Sequence, residues 1–292
     1  VDTIKYLILA SRPKTLVAGL CPVFLGASYA YHYKGQLDFF YLTILVLASV
    51  CIQVATNFFN DALDADEGRD SEDRLGPVRA ASTGALTSKF LKISALFLLM
   101  IAVILGFVLA LKVGFWVFAI GLPAVFLAYL YTGSRFSLSM NGTADFFVLT
   151  YFGVIPVWAT TLILSDVNSF SAALSGLQLG LFANALLLIN NLRDLSEDSR
   201  NNKNTLIVRF GRNFGLCFLA FCFVIPYVIS FSLDSIFFRA GLWTMPLLVL
   251  SIFIFYKIAV SEPSTKYNKY LGLTALNLVL FTYFFSKGII SS

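Results

Sequence analysis

The chain is short of nearly everything that soluble catalysts rely on. Histidine occurs once, at His32, so a histidine-based acid-base pair or metal cage has too few members. Charge is sparse as well: Asp, Glu, Lys and Arg together make up 13% of 292 residues, about half the ~25% of an ordinary soluble domain. The four cysteines, Cys21, Cys51, Cys217 and Cys222, contain no C-x-x-C pair and lie within or at the edges of apolar runs. They read as small packing residues rather than disulfides or a zinc site. A cleavable leader is not expected, because VDTIKYLILASRPKT lacks a basic start, an apolar core and a small-residue cleavage site in that order. The first apolar span is expected to act as the insertion signal.

What the chain has instead is hydrocarbon. Apolar residues reach 58%, against ~45–50% in soluble domains. Runs long enough to cross a bilayer, about 20 residues each, recur near 15–33, 37–57, 90–111, 113–131, 146–164, 177–193, 216–233, 236–256 and 270–286. The expected fold is an all-α membrane protein, a bundle of about nine transmembrane helices. It is expected to form a single integral-membrane domain over 1–292, with halves at about 1–140 and 141–292. With nine spans, only Lys34, Lys112, Arg239 and Lys287 fall on one face, and the other 17 of the 21 basic residues fall on the opposite face. Because cytoplasmic loops carry the Lys/Arg excess, the amino terminus is expected in the cytoplasm and the carboxyl terminus outside, in a cytoplasmic (inner) membrane.

The acids are distributed less evenly still. Asp61, Asp64, Asp66, Glu67, Asp70, Glu72 and Asp73 share one window, and Asp194, Glu197 and Asp198 share another, both at the expected cytoplasmic ends of spans. Each window opens alike: NDALD gives Asn60 and Asp64, and NNLRD gives Asn190 and Asp194, a weak internal repeat. Residues four apart share a helix face, so each pair aims an amide oxygen and a carboxylate at one region. Asn57 extends the first face by a turn, and Asp198 extends the second.

Acids concentrated beside a low-dielectric interior call for a cationic partner. Hard oxygen ligands without His or Cys favour Mg²⁺, which fills its shell with water and substrate phosphate. Arg69, Arg74, Arg79, Arg193, Arg200, Lys203 and Arg209 stand nearby and suit phosphate oxygens. The combination suggests a diphosphate held by bridging Mg²⁺. Simple helix capping is the alternative for either window taken alone. A cation transporter is the rival use of paired intramembrane carboxylates, although its acids would be expected near mid-span.

NDALDADEGRDSEDRLGPVR and NNLRDLSEDSRNNKNTLIVRFG resemble the two aspartate-rich motifs of the UbiA superfamily of intramembrane prenyltransferases, and SRPKTLVAGLCPVFLG, DRLGPVR and KNTLIVRFG agree. The likeness runs from residue 11 to about 215, nearest to the branch that prenylates 1,4-dihydroxy-2-naphthoate in menaquinone synthesis. It implies a bundle around a central cavity, open to lipid and capped by cytoplasmic loops, that binds a prenyl diphosphate and an aromatic acceptor. Carried over, the metal set is Asn60, Asp61, Asp64, Asp70, Asn190, Asp194 and Asp198, around two Mg²⁺ ions bridging the diphosphate. Gly68 stands where the wider superfamily has a carboxylate, and Asp70 marks the naphthoate branch.

YLYTGSRF resembles the family's Tyr-x-x-x-Lys/Arg element, with the Arg135 guanidinium on diphosphate and the Tyr131 phenol facing the reacting centre. An interfacial aromatic with a snorkelling arginine is the plainer alternative. Arg12, Lys14, Arg79 and Lys203 complete the implied diphosphate set, and Pro13 stands where a helix would begin. The implied catalytic residues are Asp64, Asp194 and Tyr131. The implied reaction is Mg²⁺-dependent polyprenyl transfer with loss of the acceptor's carboxylate, giving a demethylmenaquinone-type product. Transfer to 4-hydroxybenzoate and a non-catalytic quinone-binding scaffold are the alternatives within the superfamily.

Overall fold

The computed structural model describes residues 2–68, 75–77, 79–131, 137–231 and 235–291, with the side chains at 2, 139, 235 and 236 excepted. All regular structure among them is helical. A short α1 (Asp2–Ser11) leads at a 50° bend into α2 (Pro13–Lys34), and α3 (Phe39–Asp66), α4 (Ser88–Val113) and α5 (Val117–Leu130) follow. A one-turn α6 (Leu138–Asn141) precedes α7 (Ala144–Leu149), which runs through a π turn at Thr150–Val154 into α8 (Ile155–Ser165). Then come α9 (Phe170–Arg193), α10 (Leu195–Arg200), α11 (Leu206–Ile229), α12 (Ser235–Thr244), α13 (Pro246–Ala259) and α14 (Tyr267–Ile290).

By length and composition, six described helices can cross a membrane, or up to eight if α1–α2 and the 54° bent pair α12–α13 each count as one span. The interval expected at 113–131 holds only the 14-residue α5, about 21 Å at 1.5 Å per residue and short of a full ~30 Å crossing. The chain is a multi-pass membrane protein.

Local chemistry sets the helix starts. Asp38 Oδ1 accepts from the Phe40 and Tyr41 amides, and Thr87, Ser169 and Thr205 cap α4, α9 and α11 in the same manner. Pro13 begins α2, where its missing N–H costs nothing, but α1 precedes it.

The α9 helix is the axis of the larger core. Leu179, Phe182, Ala185, Leu188 and Ile189 are all fully buried, packed with α11, α14 and α2. Its amino-terminal half crosses the π-turn helix at backbone distance, because Gly176, Gly180 and Gly153 meet there. A Cβ added at Gly153 would lie 2.5 Å from Gly176 O and 2.7 Å from Gly180 Cα. Small residues four apart on α9 permit this approach. A second core of α3, α4 and α5 leans on the first mainly through α2 and α8.

Lys34 pairs with Asp166 at 2.6 Å and Lys112 approaches Asp38 at 4.0 Å, at the end of the bundle where α2 and α4 finish and α3 begins. Asp64 and Asp194 lie at the other end, where α3 and α9 finish.

Candidate active site

A cavity of about 390 Å³ opens where α2 begins and α3 and α9 finish. The α1–α2 junction contributes Arg12 and Lys14, and α3 contributes Asn60, Asp61 and Asp64. From the other half come Asn190 on α9, Asp194 at the α9–α10 junction, Asp198 on α10 and Lys203 just beyond. Arg79, from the α3–α4 connection, and Tyr131, at the end of α5, close the ring. Residues more than a hundred positions apart thus converge on one space. Asp70 and Arg135 lie outside the described residues.

The helical spacing of the second motif survives its junction. Asp194 N donates to Asn190 O at 2.9 Å and Asp198 N to Asp194 O at 2.8 Å, so Asn190, Asp194 and Asp198 stay stacked on one face.

The carboxylates meet basic partners before any ligand. Arg79 Nη1 pairs with Asp64, Lys203 lies 3.1 Å from Asp198, and Arg193 grips Asp194 through Nε and Nη2 at 2.7 and 2.6 Å. Arg12 Nη2 donates to Asn60 Oδ1 at 3.2 Å. Burial pushes the Asp198 carboxyl above the usual carboxylate range, with Lys203 opposing and Asp194 and Glu197 adding to the rise. Among the described residues, no three His, Cys, Asp or Glu side chains form a ready metal cage. The donors that do line the cavity, Asn60, Asp64, Asn190, Asp194 and Asp198, are hard oxygen ligands of the kind Mg²⁺ takes alongside water and substrate phosphate.

Asp61 is already engaged. Its two oxygens accept the Ala80 and Ala81 amides, both at 3.1 Å, which anchors the turn behind Arg79. Asn57 departs from its expected place. Instead of extending the acidic face, its Nδ2 donates to Ser11 O at 2.8 Å and Thr15 Oγ1 at 3.2 Å, pinning the α1–α2 junction. There Arg12 holds the left-handed conformation, φ 49°, rare for a residue that is not glycine.

A second, apolar cavity of about 230 Å³ lies among α2, α3, α4, α5 and the π-turn helix, lined by residues such as Val23, Ile52, Phe118 and Ile155. Tyr131 lines both cavities. The site therefore has an ionic chamber and an apolar one, with a phenol where they meet.

Two lining residues had no clear signal in the sequence. Asp145 heads the span at Ala144–Ser165 as a lone acid before an apolar run, and Asn268 belongs to neither motif.

An apolar helical bundle with paired acidic motifs beside an oily chamber is the architecture of an enzyme that works on a charged head attached to a hydrocarbon tail inside a membrane. A profile of the UbiA prenyltransferase family matches residues 19–283, and the chain belongs to that family. The chain is 29% identical to the 1,4-dihydroxy-2-naphthoate octaprenyltransferase of Haemophilus influenzae, covering 96% of this chain and 94% of that one. It is 30% identical to the enzyme of the same name from Escherichia coli, covering 82% and 80%. Among solved structures, a UbiA homologue from Archaeoglobus fulgidus bound to DMAPP and Mg²⁺ shares the fold, with a TM-score of 0.71 at 13% identity over 100% of this chain and 99% of that one.

Proposed function

We propose that this chain transfers a polyprenyl group from a prenyl diphosphate to 1,4-dihydroxy-2-naphthoate, with loss of the acceptor's carboxylate. The observation that carries the reading is the meeting of the two cavities at Tyr131. A prenyl diphosphate has the same division, a charged head and an apolar tail joined at the carbon that reacts. The naming of the Haemophilus influenzae and Escherichia coli relatives supports the acceptor, and the DMAPP and Mg²⁺ of the Archaeoglobus fulgidus homologue support the donor and the metal.

Asp64, Asp194 and Asp198, with Asn60 and Asn190, offer oxygen donors from both halves and would hold Mg²⁺, two ions in the reading favoured here. Bound there, Mg²⁺ supplies a Lewis acid that offsets charge growing on the leaving diphosphate. Arg12, Lys14, Arg79 and Lys203 contribute fixed positive charge around the same oxygens, which lowers the barrier to breaking the C–O bond. Tyr131 presents its ring where the allylic carbon develops positive charge. The apolar chamber excludes water, so the cation meets the aromatic carbon first. The site would face the cytoplasm of an inner membrane, with the amino terminus on that side.

The test is an acceptor comparison in detergent, offering 1,4-dihydroxy-2-naphthoate and 4-hydroxybenzoate with one prenyl diphosphate. Prenylated naphthoquinol with equimolar CO₂, and little 4-hydroxybenzoate product, is the expected result. Preference for 4-hydroxybenzoate overturns the acceptor assignment.

A further inference from the structure

Among the described residues, Asp145 is the one acidic side chain at the cavity that belongs to neither motif, and neither the diphosphate nor the metal reading uses it. It is 5% exposed and lines the ionic chamber. Its Oδ1 is buried without a hydrogen-bond partner, a costly arrangement for a carboxylate. Asn184 of α9 stands against the carboxyl group and is itself fully buried, with its Oδ1 also unpartnered. The Asn184 Nδ2 is turned to Cys222 Sγ at 3.9 Å. Asn184 and the Asp145 backbone N–H serve the carboxyl group only in part, and the buried, unpartnered Asp145 Oδ1 calls for a ligand that brings a hydroxyl group rather than phosphate, which has only acceptors to offer.

The position fits an aromatic hydroxyl. Asp145 lines the ionic chamber together with Tyr131, and Phe147 and Val148, two and three residues further along the same helix, line the apolar one. Tyr131 marks the junction of the two chambers, and the start of the Asp145 helix runs beside that junction. Desolvation strengthens a hydrogen bond made there and leaves water little chance to substitute for the acceptor.

We propose that Asp145 is the catalytic residue that binds a ring hydroxyl of the aromatic acceptor and takes its proton as the new carbon–carbon bond forms. The inference rests on the proposed prenyl transfer. The C–O bond of the prenyl diphosphate breaks and its electron pair leaves with diphosphate. The ring carbon bearing the carboxylate bonds to the prenyl carbon, the oxygen of the hydroxyl on the adjacent carbon C1 becomes a carbonyl, and its proton passes to Asp145. The carbon–carboxylate bond then breaks, CO₂ departs, and its electron pair regenerates the aromatic enolate. That oxygen recovers the proton, which returns Asp145 to a carboxylate and releases a quinol. No oxidant or further reactant enters. General-base assistance of this kind contributes about 10²- to 10⁴-fold.

The experiment pairs an enzyme change with a substrate change. Wild type, Asp145→Asn and Asp145→Glu are assayed with 1,4-dihydroxy-2-naphthoate and with its 1-methoxy and 4-methoxy ethers, and prenyl diphosphate binding is measured alongside by calorimetry. Wild type is expected to be at least ~100-fold slower on the 1-methoxy ether, which blocks the hydroxyl beside the carboxylate, than on the parent acceptor. Asp145→Asn, similar in shape and still able to bind prenyl diphosphate, is expected to be ~100-fold slower on the parent acceptor and no slower again on that ether. Asp145→Glu is expected to recover part of the rate.

Asp145→Asn within threefold of wild type overturns the inference, as does a variant that still discriminates between parent and ether as wild type does. Loss of prenyl diphosphate binding in both variants also overturns it, because Asp145 then serves the donor site or the fold. A wild type that prenylates neither dihydroxynaphthoate nor any other hydroxylated aromatic overturns the functional reading itself, and this inference with it. That outcome is distinct from an active wild type indifferent to Asp145.

Discussion

Arg193 holds the residue next to it in the chain, Asp194, through a two-pronged ion pair, and its third nitrogen, Nη1, reaches Asn268 Oδ1 at 2.6 Å. Asn268 Nδ2 in turn donates to Leu75 O at 2.9 Å. A single guanidinium thus orients the second motif, ties it to the start of α14 and, through Asn268, to Leu75 in the later part of the first motif. Arg193→Lys keeps the charge and loses the planar fork. Charge-assisted hydrogen bonds contribute about 1.5–3 kcal/mol each, so kcat/KM for prenyl transfer is expected to fall roughly 10- to 100-fold, with a smaller loss in Asn268→Ala. Steady-state kinetics of the two variants checks the ranking.

Asn57 stands behind Arg12 as a positioning residue. Its two hydrogen bonds fix a junction in which Arg12 holds a strained backbone while its side chain reaches Asn60. Asn57→Ala removes both, at about 0.5–1.5 kcal/mol each. KM for the prenyl diphosphate is expected to rise several-fold, with kcat much less affected. An unchanged KM contradicts this role.

The glycine crossing of α9 with the π-turn helix leaves no room for a side chain. Gly153→Val is expected to destabilise the protein by at least ~1–3 kcal/mol, the usual cost of overpacking. Gly272→Ala, in α14 where an added Cβ meets nothing within 4 Å, is expected to be neutral or to stabilise by up to ~1 kcal/mol. Thermal unfolding in detergent separates the two.

Asp166 tests the far end of the bundle. Its hydrogen bond to Lys34 holds the carboxyl below the usual range, so its contribution is present above the unfolded carboxylate pKa and is lost as pH falls through the lowered folded value. Both side chains are largely open to solvent, which limits the pair to less than ~1 kcal/mol. Asp166→Asn is expected to lower Tm slightly at pH 7 and low salt, not at acid pH, and to leave prenyl transfer unchanged.

Much of this site was legible because its chemistry is written in contiguous motifs. NDALD and NNLRD put their amides and carboxylates on helix faces, and the cavity brings those faces together with Arg12, Lys14, Arg79, Tyr131 and Lys203. The rest depended on contacts across the chain. A lone acid before an apolar run, such as Asp145, looks like a helix-end residue until the packing of α9 encloses it. Asn57 lies on the expected helical face, but the fold turns that part of the face toward the α1–α2 junction and not the cavity. Asn268 is recruited by the docking of α14, some seventy residues beyond the second motif. The α5 helix is shorter than its apolar run suggested, because that run opens on the end of α4 and the Gly114 turn, and the helix begins only at Val117.

The measurement that tests the account most directly is a Mg²⁺-controlled prenyl transfer assay with 1,4-dihydroxy-2-naphthoate, with product and CO₂ followed by mass spectrometry in wild type, Asp64→Asn and Asp194→Asn. The account predicts product and CO₂ in equal amounts with Mg²⁺, none with EDTA, and loss of both in either variant, since each half of the chain supplies one side of a single site. Transfer that persists in EDTA, or in one variant at the wild-type rate, would contradict a shared diphosphate site built from both motifs.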